Sequence, residues 1–150
     1  MQFTATQEIT APIDAVWTQL TDFDRFEQAV VRHGGKAERQ GDDPVGPGTR
    51  WSGAAEVLGK IRHMDLTLTR MEVPGRLTAE ALAEGVAVTL DVTLEAVAEG
   101  RTRMTVAADA EARSLGAKIV LKPLALAHGR LQEQFEGRVS GFAKRIEAAA

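Results

Sequence analysis

The sequence predicts an α+β fold: a curved antiparallel sheet of six to seven strands wrapped around a long C-terminal helix, with two short helices after the first strand. Three observations carry this. From 49 to 113, apolar and polar residues alternate with period two, interrupted by short turns containing Gly or Pro. That is the pattern of antiparallel strands with one face covered and the other in water. From 114 to 150 the period becomes helical, and no other stretch is long enough to cover such a sheet. Ahead of the sheet, an alternating segment over 1–10 runs into Pro12 and two short helical patterns.

In the first strand Phe3, Ala5, Gln7 and Ile9 share a face. Ile13, Val16, Trp17 and Leu20 then recur at helical spacing, and Asp22 starts a second short helix through Phe26. Residues 30–40 have little periodicity, with one strand expected near 36–40, and the Gly/Asp/Pro-rich residues 41–48 form a loop. The next strand places Trp51, Ala55 and Val57 on one face and Arg50, Ser52 and Glu56 on the other, before a turn at Gly59. Over 60–72, Met64, Leu66 and Leu68 form the inner set, with Arg62 and Arg70 at its two ends and His63, Asp65, Thr67 and Thr69 opposite. The reverse register would exchange Arg62 and Arg70 for His63 and Asp65 on the inner face. Three further strands follow over 76–84, 86–95 and 101–113. They place Leu90, Val106, Ala108 and Ala110 inside. On the terminal helix, Leu124, His128, Leu131, Phe135, Val139, Phe142 and Ile146 form one stripe. Pro123 is expected to kink a helix that begins near Leu115.

A chain of 150 residues reads as one domain over 1–150. With no Cys, disulfides, thiolate zinc sites and Cys nucleophiles are excluded. The three His (His33, His63, His128) fall on different elements without ligand spacing, so no metal site is expected. No phosphate-binding loop or nucleophile elbow is present, and no cofactor is expected. The net charge of −3, with no aromatic residues interleaved among the basic ones, argues against a nucleic-acid partner. No apolar run is long enough for stable membrane insertion and no leader is recognisable, so the expected location is cytoplasmic. Charge is uneven, however: residues 114–150 carry six Lys/Arg against three Glu. The oligomeric state is left open.

The residues with chemical potential are few. An unpaired inward-facing Arg is costly, so Arg62 and Arg70 must reach a rim or meet an acid, where either can orient a ligand carboxylate or phosphate. His128, within the apolar helical stripe, is the candidate acid–base group or ligand hydrogen-bonding partner. Trp51 is a candidate ligand contact, while Trp17 reads as packing. Gly53, Ala108 and Ala110 are small for an inner face, which leaves volume for a cavity or for a close helix.

The segments Ile9-Thr10-Ala11-Pro12-Ile13-Asp14-Ala15-Val16-Trp17, Leu20-Thr21-Asp22-Phe23, Gly46-Pro47-Gly48-Thr49-Arg50-Trp51, Val73-Pro74-Gly75-Arg76-Leu77 and Gly100-Arg101-Thr102-Arg103-Met104-Thr105, in this order and spacing, resemble the START/Bet v 1-like (SRPBCC) superfamily. Within it they resemble the polyketide cyclase/dehydrase-like group. The resemblance implies the helix-grip fold and a deep apolar cavity between helix and sheet. Relatives bind lipids, hormones or polyketides there, and some are aromatase/cyclases. Two departures weigh against cyclase chemistry. Phe26-Glu27-Gln28-Ala29-Val30-Val31 stands where relatives often carry a Trp-x-Pro-like element, and the chain has no Tyr.

The expected function is binding, or transport, of a hydrophobic or amphipathic small molecule. The expected ligand-binding residues are Trp51, Arg62, Met64, Leu66, Leu68, Arg70, Leu90, Val106, Ala108, Leu124, His128, Leu131 and Phe135. The alternatives are a cyclase/aromatase-like enzyme using His128 in the same cavity, and a module that binds a protein or membrane surface through its basic helix.

Overall fold

The computed structural model describes residues 1–57 and 59–149. Its elements run β1 (Gln2–Ile9), α1 (Ile13–Leu20), α2 (Phe23–Arg32), β2 (Lys36–Arg39), β3 (Arg50–Val57), β4 (Lys60–Glu72), β5 (Arg76–Ala83), β6 (Val86–Ala98), β7 (Arg101–Ala112), α3 (Leu115–Leu126) and α4 (His128–Ala149). The strands form one antiparallel sheet in the order β1-β7-β6-β5-β4-β3-β2. Hairpins connect β3 through β7, while β1 crosses over to pair with β7. This is the expected helix-grip α+β fold, with seven strands. The second helix runs longer than its sequence pattern suggested, because Asp22 caps it by accepting from the Arg25 amide and the turn continues to Arg32. The Val57 side chain, expected on the inner face, lies outside the described residues.

Three rows of cross-strand neighbours describe the concave face. In the first, Ala5, Val106, Val92, Leu77 and Met71 lie side by side. In the second come Phe3, Ala108, Leu90, Ala79 and Leu68. In the third come Ala110, Val88, Ala81, Leu66 and Trp51. The first row belongs to the core. Ala5, Val92 and Val106 join Ile9, Ala11, Val16, Trp17, Leu94, Met104 and the α4 residues Val139, Ala143 and Ile146 in one buried cluster. Thr102, fully buried there, donates its hydroxyl to the Ala11 carbonyl at 2.8 Å and so satisfies the chain where it leaves β1.

The second row is different. Leu90 is on a central strand, yet 37% of it remains accessible to water. Packing is therefore complete at the Ile9 end of the sheet and incomplete at the Met1 end. The total accessible surface, 9383 Å², exceeds the ~7,400 Å² typical of a monomer of this mass by roughly 2,000 Å².

Two local devices shape this face. At Gly53 a Cβ would lie 2.2 Å from the Lys36 carbonyl oxygen. The glycine therefore makes room for the β2 backbone and does not enlarge the cavity. In β4 the register shifts between Leu68 and Arg70. A bulge of this kind reverses the alternation, so Met71 and not Arg70 joins the first row.

The convex face is polar. Arg76 donates to both oxygens of Asp91 at 3.2 and 2.9 Å, and Thr78 donates to the same carboxylate at 2.9 Å. The Arg76 hydrogen bond, helped by Thr78 and the nearby charges of Arg76 and Arg70, holds the Asp91 carboxyl below its ordinary value of 3.8 despite partial burial. A depressed carboxylate stabilises the fold above its unfolded-state pKa, and that stabilisation disappears as pH falls through the folded-state value. Asp91→Asn should therefore lower the unfolding midpoint at neutral pH. The difference from the parent should close as pH drops below 3.8, as followed by denaturant titration at several pH values.

The gradient in packing is testable in the same way. Met104→Ala removes a side chain with no exposure and should cost about 2–5 kcal/mol. Leu66→Ala, at a half-buried position of the third row, should cost less than Met104→Ala, because part of that side chain already meets water in the folded state. Equal losses in chemical denaturation would contradict the gradient.

Candidate functional site

α4 follows the edge strand β1 along its length. At one end the His128 ring Nε2–H donates to the Gln2 carbonyl at 2.8 Å, and one helical turn later the Gln132 side-chain amide donates to the Thr4 carbonyl at 2.8 Å. At the other end the Thr10 amide donates to the Glu147 carboxylate at 2.7 Å. The first two bonds fit because four helical residues rise about 6 Å while two strand residues span about 6.8 Å. They satisfy alternate outward carbonyls of an edge strand that has no further strand beside it.

A helix laid along β1 leaves the inner face of the middle strands without a cover. Met64, Leu66, Ala79, Ala81, Val88, Ala108 and Ala110 are only half-buried. Leu131 and Phe135, half-buried on the α4 stripe ahead of buried Val139, form the helical wall. Phe3 connects strand to wall, 5.8 Å from the Phe135 ring. Leu124 shares the helical face of buried Ala117 on α3, which packs at the β5–β6 turn. There Glu84 and Gly85 both take positive φ (48° and 81°), and a Cβ on Gly85 would approach Ser114 Oγ to 2.7 Å. Ser114 in turn caps α3 by accepting from the Ala117 amide. Half-buried apolar residues therefore lie both on the inner sheet face and on the two C-terminal helices.

The structure divides the expected site residues into groups. Met64, Leu66, Leu90 and Ala108 lie on the incompletely covered inner face, while Leu131 and Phe135 on α4 and Leu124 on α3 are half-buried. Leu68 and Val106 lie on the same inner face but are buried. Arg62 is on the inner face, as the alternation required, and forms an ion pair with Glu84 at the margin. Its partner comes from the turn between β5 and β6, which no pattern within β4 reveals. His63 and Asp65 point to the convex side and are exposed. Arg70, displaced by the bulge, is exposed near Glu72, 4.0 Å away.

Trp51 is 3% exposed and enclosed by other protein groups. Its indole N–H donates to Glu27 at 3.1 Å, the Phe23 and Phe26 rings lie 5.4 and 6.3 Å away, and the Arg39 guanidinium sits 5.9 Å from its ring centre. Arg39 also bridges Glu27 and Asp24, with bonds of 2.9–3.2 Å. Trp51 therefore ties α2 to β2 and β3. Asp24 and Glu27, on α2, were not singled out in the sequence. Their helical i, i+3 spacing opposite a Trp and an Arg was the available signal.

His128 is exposed, at the start of α4. The helix expected to be continuous past Pro123 breaks at Ala127, and Pro123 is accommodated inside α3. The break separates Leu124, on α3, from the α4 stripe, which His128 begins and Leu131 and Phe135 continue. The imidazole is exposed, and it stacks on Phe3 with ring centres 4.8 Å apart and planes within 10°. Its bond to Gln2 makes it an edge-strand clamp. Gln132, its partner in that role, was recognisable as a polar group at i+4.

No group of His, Asp or Glu among the described residues is arranged to hold a metal ion. On the described concave rows the ionisable side chains are Arg39, Lys60 and Arg62, all toward the margin. The rest of those rows, among the described residues, is uncharged, with the Arg62–Glu84 ion pair at the edge.

The sequence matches the family described as polyketide cyclase / dehydrase and lipid transport over residues 1–147. The chain belongs to this family. Among curated proteins none shows significant similarity. Solved structures with the same fold include the Zhui aromatase/cyclase from Streptomyces sp. R1128 (TM-score 0.72, 18% identity, 97% of this chain and 94% of that one). Another is TTHA0849 from Thermus thermophilus (TM-score 0.70, 17% identity, 100% and 99%). A third is Ara h 8.0201 (TM-score 0.68, 16% identity, 99% and 95%). These structures share the fold of this chain. No helix among the described residues is long and apolar enough to cross a membrane.

The clamp role of His128 gives a separable expectation. His128→Ala should cost about 0.5–1.5 kcal/mol of stability through the lost hydrogen bond, with a further contribution from the Phe3 stacking. Binding of an apolar fluorophore should be unchanged, since the imidazole is exposed and already engaged with Gln2 and Phe3. A loss of binding without a loss of stability would return His128 to the site.

Proposed function

We propose that the family member described here binds, and carries, a hydrophobic or amphipathic small molecule in the cleft between its sheet and C-terminal helices. The observation that carries this reading is Leu90. A leucine in the middle of a seven-stranded sheet, on the face beneath the helices, is left 37% accessible. Natural interiors close-pack such positions, and ligand sites are concave, apolar and largely pre-formed. The flanking residues Ala79, Ala81, Ala108 and Ala110 keep the floor low, where larger residues would fill the space. At the margin, Arg62 with Glu84 gives an amphipathic ligand a polar group to meet.

Turnover by cyclisation or dehydration needs a proton donor and acceptor within reach of the reacting atoms. His128, the sequence candidate for that work, is already engaged with the Gln2 carbonyl and the Phe3 ring. Binding is therefore the reading favoured over catalysis.

The test uses N-phenyl-1-naphthylamine, a neutral apolar fluorophore. It should bind saturably and raise the thermal midpoint in proportion to its concentration, as expected for a ligand of the folded state alone. Leu90→Glu places a charge in the floor, and Ala108→Trp fills it. Each should weaken the probe at least about tenfold, or roughly 1.4 kcal/mol, while circular dichroism shows the fold retained. Unchanged affinity in both variants would exclude the cleft. Denaturing extraction followed by mass spectrometry should then recover a co-purified apolar compound from the parent protein in preference to Ala108→Trp.

A further inference from the structure

α3 exposes the wrong residues for a helix whose only neighbours are its own chain. Leu115, Ile119 and Leu126 fall within about 40° of one another around its axis, at 100° per residue. They are 79%, 73% and 91% exposed. Ala117, which is buried, and Leu121 and Leu124, which are half-buried, lie on the opposite side. The helix therefore has two apolar faces, one packed toward the protein and one turned to water. Lys118 and Lys122 border the outer stripe at one edge, and Val120, 44% exposed, lies beyond the other.

The charge around this face has one sign. Between Glu111 and Glu133 there is no acidic residue, and Arg113, Lys118, Lys122 and Arg130 are all exposed. The chain as a whole is −3, so this segment opposes the overall balance. At the elbow where α3 meets α4, Pro123, Leu126, Ala127, Gly129 and Arg130 line an open hollow of ≈ 420 Å³.

We propose that α3 and this elbow dock peripherally on an anionic phospholipid surface. Leu115, Ile119 and Leu126 enter the boundary between headgroups and acyl chains, and Lys118, Lys122, Arg113 and Arg130 meet lipid phosphates. Clustered cations beside an exposed apolar stripe match the chemistry of such an interface, where long basic side chains lay their stems along apolar matter and keep their charge in the headgroup layer. A water-facing stripe of three large aliphatic residues is otherwise unfavourable. An anionic protein surface would match the cations but not the depth of the apolar stripe. α3 begins beside the β5–β6 turn at the margin of the cleft, so docking here brings that margin to the lipid. The docking does not depend on the cleft being a ligand site.

The experiment is flotation of the full chain with phosphatidylcholine vesicles made with and without phosphatidylglycerol, at low and high salt. The parent should float with the phosphatidylglycerol vesicles at low salt and less at high salt. Lys118→Gln and Lys122→Gln should each reduce partitioning roughly five-fold. Ile119→Asp with Leu126→Asp should abolish it. Both positions are exposed, so circular dichroism and the thermal midpoint should stay near the parent. Val73→Asp, equally exposed at the opposite end of the sheet, should float like the parent. The proposal is overturned if the parent stays in solution with phosphatidylglycerol vesicles at low salt, or if the α3 variants float as it does. It is also overturned if the parent does not float but sediments as a dimer that Ile119→Asp with Leu126→Asp dissociates. That face would then be a contact between copies of the chain.

Discussion

The seating of α4 along β1 decides the rest of the molecule. A helix of 22 residues is about 33 Å long, enough to cross the concave face diagonally and cover every strand. It does not do so, because its polar flank is committed to one strand. His128 and Gln132 hold the carbonyls of Gln2 and Thr4, and Glu147 holds the Thr10 amide. With both ends tied to β1, the apolar stripe reaches only the strands next to it. Val139, Ala143 and Ile146 close the core with Ile9, Val92, Leu94 and Met104. Toward the Met1 end the stripe continues through Phe135 and Leu131, but the floor opposite them is built from alanines, and space remains. The same side chains that protect an exposed sheet edge thus determine where the cleft lies.

The strands were legible because period two is a property of each strand by itself. Every strand of the sheet was anticipated, and Met64, Leu66, Leu90 and Ala108 fell on the expected face. What could not be read were the points where the period is reset. One inserted residue near Thr69 turns Arg70 outward, and one non-helical residue at Ala127 separates Leu124 from the stripe of α4. Neither event has a local signature as clear as a Gly or Pro in a turn; Pro123, the residue that looked like a breaker, sits inside a helix. Partners from distant segments were equally hidden. The role of Trp51 depends on Glu27 and Phe23 of α2, and that of Arg62 depends on Glu84 in another hairpin. In each case the residue was on the predicted face, but its environment came from elsewhere.

An apolar floor left open to water weakens a fold, since the burial it forgoes is the main favourable contribution. The convex face shows one compensation. Its polar side chains are paired across strands: Arg76 with Asp91 and Thr78, and Arg103 with Glu8. Exposed pairs of this kind contribute little one by one. Their larger effect is on register, because a slip by one residue would carry each charge to the apolar side. The sheet therefore keeps its alignment through the convex face even where nothing presses on the concave one. The α2 box of Phe23, Phe26, Trp51, Arg39 and Glu27 does the same for the far edge, holding the four-residue strand β2 in place.

The two ends of the molecule thus differ in kind. At the Ile9 end, apolar side chains from β1, β6, β7, α1 and α4 are mutually buried and the buried Thr102 hydroxyl is satisfied by Ala11. At the Met1 end, apolar residues are numerous but face open space: Leu90 on the floor, and Leu115, Ile119 and Leu126 on α3. Hydrophobic side chains in that number at one end, with four cations and no acid among those of the α3 segment, are not explained by the stability of the isolated chain. On the two readings proposed above, an apolar molecule would meet Leu90 and an apolar, anionic layer would meet α3. A small molecule too insoluble to travel through water would be available from such a layer, and α3, with one apolar face toward the protein and one toward water, would stand between them.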